Sequence, residues 1–188
     1  MGKMENLTPD TSVDHAALRD LVTPFAANEV RWRIGSTTKD KTRGTALAYI
    51  DARAVMKRLD TVFGPGGWNF TLQSIAGGFI GRLDVTWPSG RTTTREDVGA
   101  SSDIEPLKGG ASDALKRAAV SLGIGRYLYY LPTVWVPLKD GKYLSETPNL
   151  PSWALPKAKP VKAKPVKASS APQSEVQDAA TANDGGVY

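Results

Sequence analysis

Ala17, Leu18, Leu21 and Val22 recur at the spacing of one helical face, and Thr23-Pro24 stops the pattern, which predicts a first helix over residues 14–22. The period then changes. Val30-Arg31-Trp32-Arg33-Ile34 alternates apolar and cationic side chains, as a strand with one face inward does. A polar loop over residues 35–45 leads to a second strand over residues 46–50, paired with the first. Asp51 is suited to cap a helix that runs to about Phe63 with Val55, Leu59 and Val62 inward, and Gly64 ends it. Gly64-Pro65-Gly66-Gly67 breaks the chain. Residues 68–75, 79–87 and 91–98 are then β-rich, separated by Gly77-Gly78 and Pro88-Ser89-Gly90, which predicts an antiparallel meander.

Helical spacing returns at Ala111, Leu115, Ala118 and Leu122, a narrow stripe of mostly small residues closed by Gly123. Ser102-Asp103-Ile104-Glu105 reads as a capping box for this helix, and Pro106 is tolerable because it falls in the first turn. Gly109 and Gly110 each weaken the helix by roughly 1 kcal/mol relative to Ala, so a close backbone approach is expected there. The order α-β-β-α-β-β-β-α predicts an α+β fold: a β-β-α unit, then an antiparallel meander packed on a long helix. Beyond Trp153 the composition shifts. Ala158-Lys159-Pro160-Val161-Lys162 repeats at once as Ala163-Lys164-Pro165-Val166-Lys167, a pattern that favours extended backbone and builds no core. The expected organisation is a flexible N-terminus over residues 1–12, one domain over 13–150, and a disordered basic tail over 151–188. That tail reads either as a nonspecific grip on nucleic acid or as a solubilising linker.

Composition narrows the chemistry. The 188 residues carry a net charge of +5, no cysteine and one histidine. Disulfides, thiolate zinc sites and cysteine nucleophiles are excluded by inventory, and His15 has no second histidine for a triad or metal cluster. No apolar run approaches a membrane span and the N-terminus lacks a signal-peptide pattern, so a soluble, cytoplasmic protein without membrane contact is expected. A metal-dependent nuclease is the catalytic alternative, and its carboxylates would come from Glu96, Asp97, Asp103 and Glu105. Adjacent Glu96 and Asp97 point to opposite faces of a strand, however, and Glu105 is better used as a helix cap. Gly64-Pro65-Gly66-Gly67 lacks the Lys-Ser/Thr of a phosphate loop. The expectation is a non-enzymatic protein with neither cofactor nor metal.

Lys116 and Arg117 lie off the apolar stripe, and Arg126-Tyr127-Leu128-Tyr129-Tyr130 adds another cation among aromatic rings. Fixed cations beside rings suit single-stranded nucleic acid. The competing reading is an ordinary surface helix in which Asp113 pairs with Arg117 and Lys116 is solvated. Four stretches bear on the choice. Tyr49-Ile50-Asp51 opens a helix ending Phe63-Gly64, followed by Gly67-Trp68; Glu96-Asp97-Val98-Gly99 ends the meander; Asp113-Ala114-Leu115-Lys116-Arg117-Ala118 lies in the long helix; Gly123-Ile124-Gly125-Arg126-Tyr127-Leu128-Tyr129 follows it. In order and spacing these resemble the DNA-binding domain of the Rad52-type single-strand annealing family, in its bacterial and phage branch.

The resemblance implies ATP-independent annealing of complementary strands in recombination or repair, by a cyclic homo-oligomer that holds single-stranded DNA in a basic groove with its bases free. It implies a bacterial or phage-infected cytoplasm, with a single-strand-binding protein or an exonuclease as further partners. By motif position, Arg33, Tyr49, Lys116 and Arg117 fall where the family contacts DNA, and Lys108 is a further match on the long helix. Lys39-Asp40-Lys41-Thr42-Arg43 replaces a Gly-rich stretch of the eukaryotic members, so the contacting arginine is either Arg33 or Arg31. The same three cations read as a solvated loop or as a contact for an incoming strand. Tyr49 reads as a stacking platform or a packed ring. Trp68 and Trp87 read as packing residues, and Tyr127, Tyr129 and Tyr130 as a subunit interface. A protein that protects single strands without annealing them remains the alternative.

Overall fold

The computed structural model describes residues 12–100 and 106–157. The order is α1 (Ser12–Val22), β1 (Arg31–Thr37), β2 (Arg43–Tyr49), α2 (Ala52–Phe63), β3 (Trp68–Ile75), β4 (Gly78–Thr86), β5 (Thr92–Ala100), α3 (Pro106–Leu122), β6 (Val134–Lys139) and β7 (Tyr143–Leu144). Single 3-10 turns lie at Ala27–Glu29, Arg126–Tyr130 and Ser152–Ala154. The caps act as expected, but the hairpin loop is shorter than the expected 35–45, because β1 runs on to Thr37 and β2 begins at Arg43, where pairing with β6 extends it. Asp51 accepts a hydrogen bond from the Ala54 amide at 2.8 Å, which satisfies a first-turn donor of α2. Gly64 ends that helix with φ of 74°. The expected capping box at residues 102–105 lies outside the described residues, as do the expected flexible residues 1–11 and the tail from 158. Residues 151–157 still belong to the fold, since Ala154 is fully buried in the last 3-10 turn, whereas composition alone starts the tail at 151.

Two antiparallel sheets result. The meander has the order β3-β4-β5. The second sheet has the order β1-β2-β6-β7, so the early hairpin is completed by strands from the far end of the domain. Local pattern does not reveal β6 and β7. Pro132 and Pro137 argue against a strand there, and β6 forms only because Ala46 and Val134, with Gly44 and Val136, come opposite each other in the folded chain. Pro137 offers no amide to that ladder, but its carbonyl still accepts from the Ser145 amide at 3.1 Å.

The core lies where α1, α2 and α3 cover the meander, with Leu21, Phe25, Val55, Leu59, Leu83, Val85, Ala118, Leu122 and Ile124 in one cluster. The buried stripe of α3 is wider than its sequence spacing suggests: Ala114 and Ala119 are also fully buried, while Ala111 is only partly so. The close approach expected at Gly110 is real. A Cβ there would lie 2.8 Å from the Phe79 ring, and one on Gly99 would meet the backbone of Gly110 and Ala114. The helix rests directly on β5.

Two polar clips hold α1 in place. The buried Asp14 carboxylate accepts from the Ser89 amide (3.1 Å) and hydroxyl (2.8 Å), tying the start of α1 to the β4–β5 turn, with Arg91 at 3.5 Å. At the other end, Arg58 Nη1 donates to the carbonyls of Asp20 and Leu21 at 3.0 Å and of Thr23 at 2.6 Å, and its guanidinium lies 4.1 Å from the Phe25 ring centroid. Burial lowers the pKa of this guanidinium, with the Glu29 carboxylate opposing the shift, and the group stays charged at neutral pH. Replacing it as Arg58→Met keeps the stem but removes every donor. Chemical denaturation should then show a loss on the order of 2–4 kcal/mol, since charged hydrogen bonds and a cation–π contact go together.

Candidate nucleic-acid interface

The hairpin of β1 and β2, the middle of α3 and the segment after α3 enclose a groove of about 770 Å³. Arg33 comes from β1, Leu47 and Tyr49 from β2, Asp113, Lys116, Arg117 and Val120 from α3, and Leu128, Tyr129, Leu131 and Thr133 from the segment that follows. Four residues singled out by sequence, Arg33, Tyr49, Lys116 and Arg117, thus line one concavity. Two do not. Arg31 stands opposite Tyr49 and shares the sheet face of Arg33 and Leu47, one pleat beyond the groove. Lys108 is exposed on α3, two helical turns before Lys116 and outside the lining.

The charges are held by specific partners. Lys116 Nζ lies 3.4 Å from Asp113 Oδ1, and Arg117 Nε donates to Asp97 Oδ1 at 3.0 Å. The Asp113–Arg117 pair of the surface-helix reading therefore gives way to a different one. Because α3 lies on β5, the side of β5 that carries Gly99 also presents Asp97 to the helix, and Arg117 turns toward it. The pair uses Nε, one of five N–H groups on the guanidinium, and fixes the group at the groove wall. Asp97, considered from sequence only as a metal ligand, is instead the partner of Arg117; its position two residues before Gly99 on an alternating strand is the signal for it. Among the lining residues three cations face one carboxylate, so the groove favours an anion.

The aromatic and cationic run after α3 divides by role. Arg126 donates to the carbonyls of Val120 and Ser121 at 2.7–3.0 Å and so caps the C-terminus of α3. Tyr127 points inward: its hydroxyl accepts from the Phe25 amide at 3.0 Å, and burial raises its pKa. Tyr129 is 72% exposed at the groove and Tyr130 is equally open. Trp68 donates to Asp60 at 2.8 Å, and the buried Trp87 meets Phe63 edge-to-face at 5.3 Å, which makes both packing residues. Of the acidic residues considered for metal binding, Glu96 pairs with Arg82 at 3.6 Å while Asp97 serves Arg117 on the opposite face; Asp103 and Glu105 lie outside the described residues. Among the described residues no group of three His, Asp or Glu is placed to hold a metal, and no helix is long and apolar enough to cross a membrane.

A model of the Rad52/22 family of double-strand break repair proteins matches residues 15–87 and 89–146, a span that contains the whole groove. The chain is also 46% identical over 143 residues to the single-stranded DNA-binding protein DdrA of Deinococcus deserti, covering 72% of this chain and 68% of that protein. Its identity to the DdrA of Deinococcus radiodurans is 41% over 143 residues, covering 72% and 66%. The chain thus spans about two thirds of the length of these relatives.

Proposed function

Since the chain belongs to the Rad52/22 family of double-strand break repair proteins, we propose that its groove binds single-stranded DNA and that the bound strand is annealed to its complement without ATP. One observation carries the reading: Arg33 and Tyr49 on the hairpin face Lys116 and Arg117 on α3 across a single groove, although they lie far apart in sequence. Cations on two walls bracket a phosphate backbone and position it without reading its sequence. Tyr49 and Tyr129 offer rings to the bases. The Deinococcus relatives are single-stranded DNA-binding proteins by name, which supports the same ligand.

The proposal extends to assembly and setting. Leu72 on one face of the meander, and Ile75 and Val98 on the other, leave apolar side chains exposed for contacts between unlike surfaces, and we place the protein in a closed cyclic homo-oligomer. A monomer in light scattering at micromolar concentration, with and without DNA, would refute the ring. The setting is the cytoplasm of a bacterial or phage-infected cell, where an exonuclease or a single-strand-binding protein supplies the strand. The protein performs no catalytic step and uses no cofactor. Two complementary labelled oligonucleotides mixed with the protein, without nucleotide or divalent metal, should form duplex faster than alone. Tight binding without acceleration would make it a protection protein.

Lys116→Ala tests the groove itself. Affinity should fall several-fold on every DNA sequence, and the slope of log K against log salt should flatten by about 0.7 for the lost phosphate contact. Stability should change by no more than about 0.5 kcal/mol, because the Lys116–Asp113 pair is a surface one. Parallel salt plots at equal affinity would remove Lys116 from the interface.

A further inference from the structure

The pleat of the four-stranded sheet sets Trp135, Pro137 and Lys139 on one side of β6. On β6, Trp135, Pro137 and Lys139 are exposed while Val136 is buried and Leu138 half-buried. Register carries this face across the sheet: Lys139 stands opposite Tyr143 on β7, Pro137 opposite Arg43, and Trp135 opposite Thr45 on β2, of which Thr45 alone is buried. Leu47 and Tyr49 follow on the same side of β2, opposite Arg33 and Arg31. The groove wall at Arg33, Leu47 and Tyr49 is therefore one end of a longer face. Its other end carries Trp135, Arg43, Lys139 and Tyr143, with no carboxylate at any of its strand positions.

These residues are not accounted for by packing. Trp135 is 43% exposed and Tyr143 65%, and no described residue covers either ring. Arg43 is oriented, since its Nη2 donates to the Trp135 backbone carbonyl at 2.9 Å, so a cation is held at the Trp135 position of the strand. The two turns at this end meet, a Cβ on Gly141 falling 3.3 Å from that of Lys41, and they add Lys39, Lys41 and Lys142 against Asp40 and Asp140. Rings and cations interleaved on one sheet face match a polymer of bases and phosphates. Seven residues of β2 span roughly 20–24 Å, so the face reaches well past the groove.

We propose that this end of the sheet extends the binding track: single-stranded DNA leaving the groove past Thr133 continues over Trp135, Arg43, Lys139 and Tyr143. Trp135 stacks a base, and Arg43 and Lys139 take the phosphates on either side. The inference rests on the groove holding single-stranded DNA.

Two variants of the full chain test it, with Lys116→Ala beside them, in salt titrations on an oligothymidine long enough to cover groove and sheet face. Trp135→Ala should weaken binding roughly five- to a hundredfold through the lost stacking, and Trp135→Phe should restore most of it. Lys139→Ala should flatten the salt slope by about 0.7. Bromodeoxyuridine-substituted DNA, irradiated on the wild-type protein, should crosslink to the peptide that holds Trp135. Wild-type affinity and slope in both variants, with Lys116→Ala still weakened, would overturn the extension and leave the groove standing. If Lys116→Ala binds like wild type as well, the groove reading has failed too. A changed particle mass at unchanged DNA affinity would make this face a contact between copies of the chain, and would equally overturn the proposal.

Discussion

Reversing charge on both walls of the groove, Arg33→Glu with Lys116→Glu, should weaken single-stranded DNA binding by a hundredfold or more while leaving the protein folded. Each position exchanges a charge-assisted phosphate contact, about 1.5–2 kcal/mol, for a repulsion, and the two sit on separate elements, so their effects should nearly add. The salt slope should fall by at least about 1.4, twice the single-contact value. On the fold the cost is small. Arg33 is exposed, and the Lys116→Glu change would add only a like-charge neighbour to Asp113, worth about 0.5 kcal/mol. Fluorescence anisotropy of a labelled oligonucleotide at several salt concentrations, with thermal unfolding as the control, reads both quantities. A double variant that binds as wild type does would sink the groove assignment outright.

Gly99→Val should be the most damaging single change to the fold. The new Cβ would press on the backbone of Gly110 and Ala114, which cannot rotate away as a side chain does. Either β5 or α3 must move, and α3 carries Ala114, Leu115, Ala118 and Leu122 in the core. A loss of about 4 kcal/mol or more is expected, seen as a large drop in the denaturation midpoint or as insoluble protein. Because Asp97 lies two residues earlier on the same strand, any folded fraction should also bind DNA less well as Arg117 loses its partner. Gly66→Ala is the contrast: a Cβ there meets nothing within 4 Å, and stability should move by less than about 0.5 kcal/mol. Equal behaviour of the two variants would contradict the close packing of α3 on β5.

Much of this was legible along the chain because helices, turns and caps are local. Asp51, Gly64, Gly77, Gly90 and Gly123 act within a few residues of themselves, and three of these glycines close turns at φ between 74° and 82°. Gly110 declared a close approach by its cost to the helix, though not what approaches. The cations of the groove were legible one by one, from their place in motifs. Their partners were not. Asp113 is the right distance along α3 to pair with either Lys116 or Arg117, and only the sheet beneath the helix, by offering Asp97, decides which.

By itself the sequence determined the helices, the meander and the β1–β2 hairpin, since each depends on period and caps within short windows. Tertiary structure decided the rest. It paired β2 with β6, turned Tyr127 inward and left Tyr129 at the groove, and set Trp135 and Lys139 on the sheet face that carries Arg33. The physical reason is common to all of these: they follow from contacts between segments whose separation along the chain carries no periodic signal, so only the packed chain brings them within reach of one another.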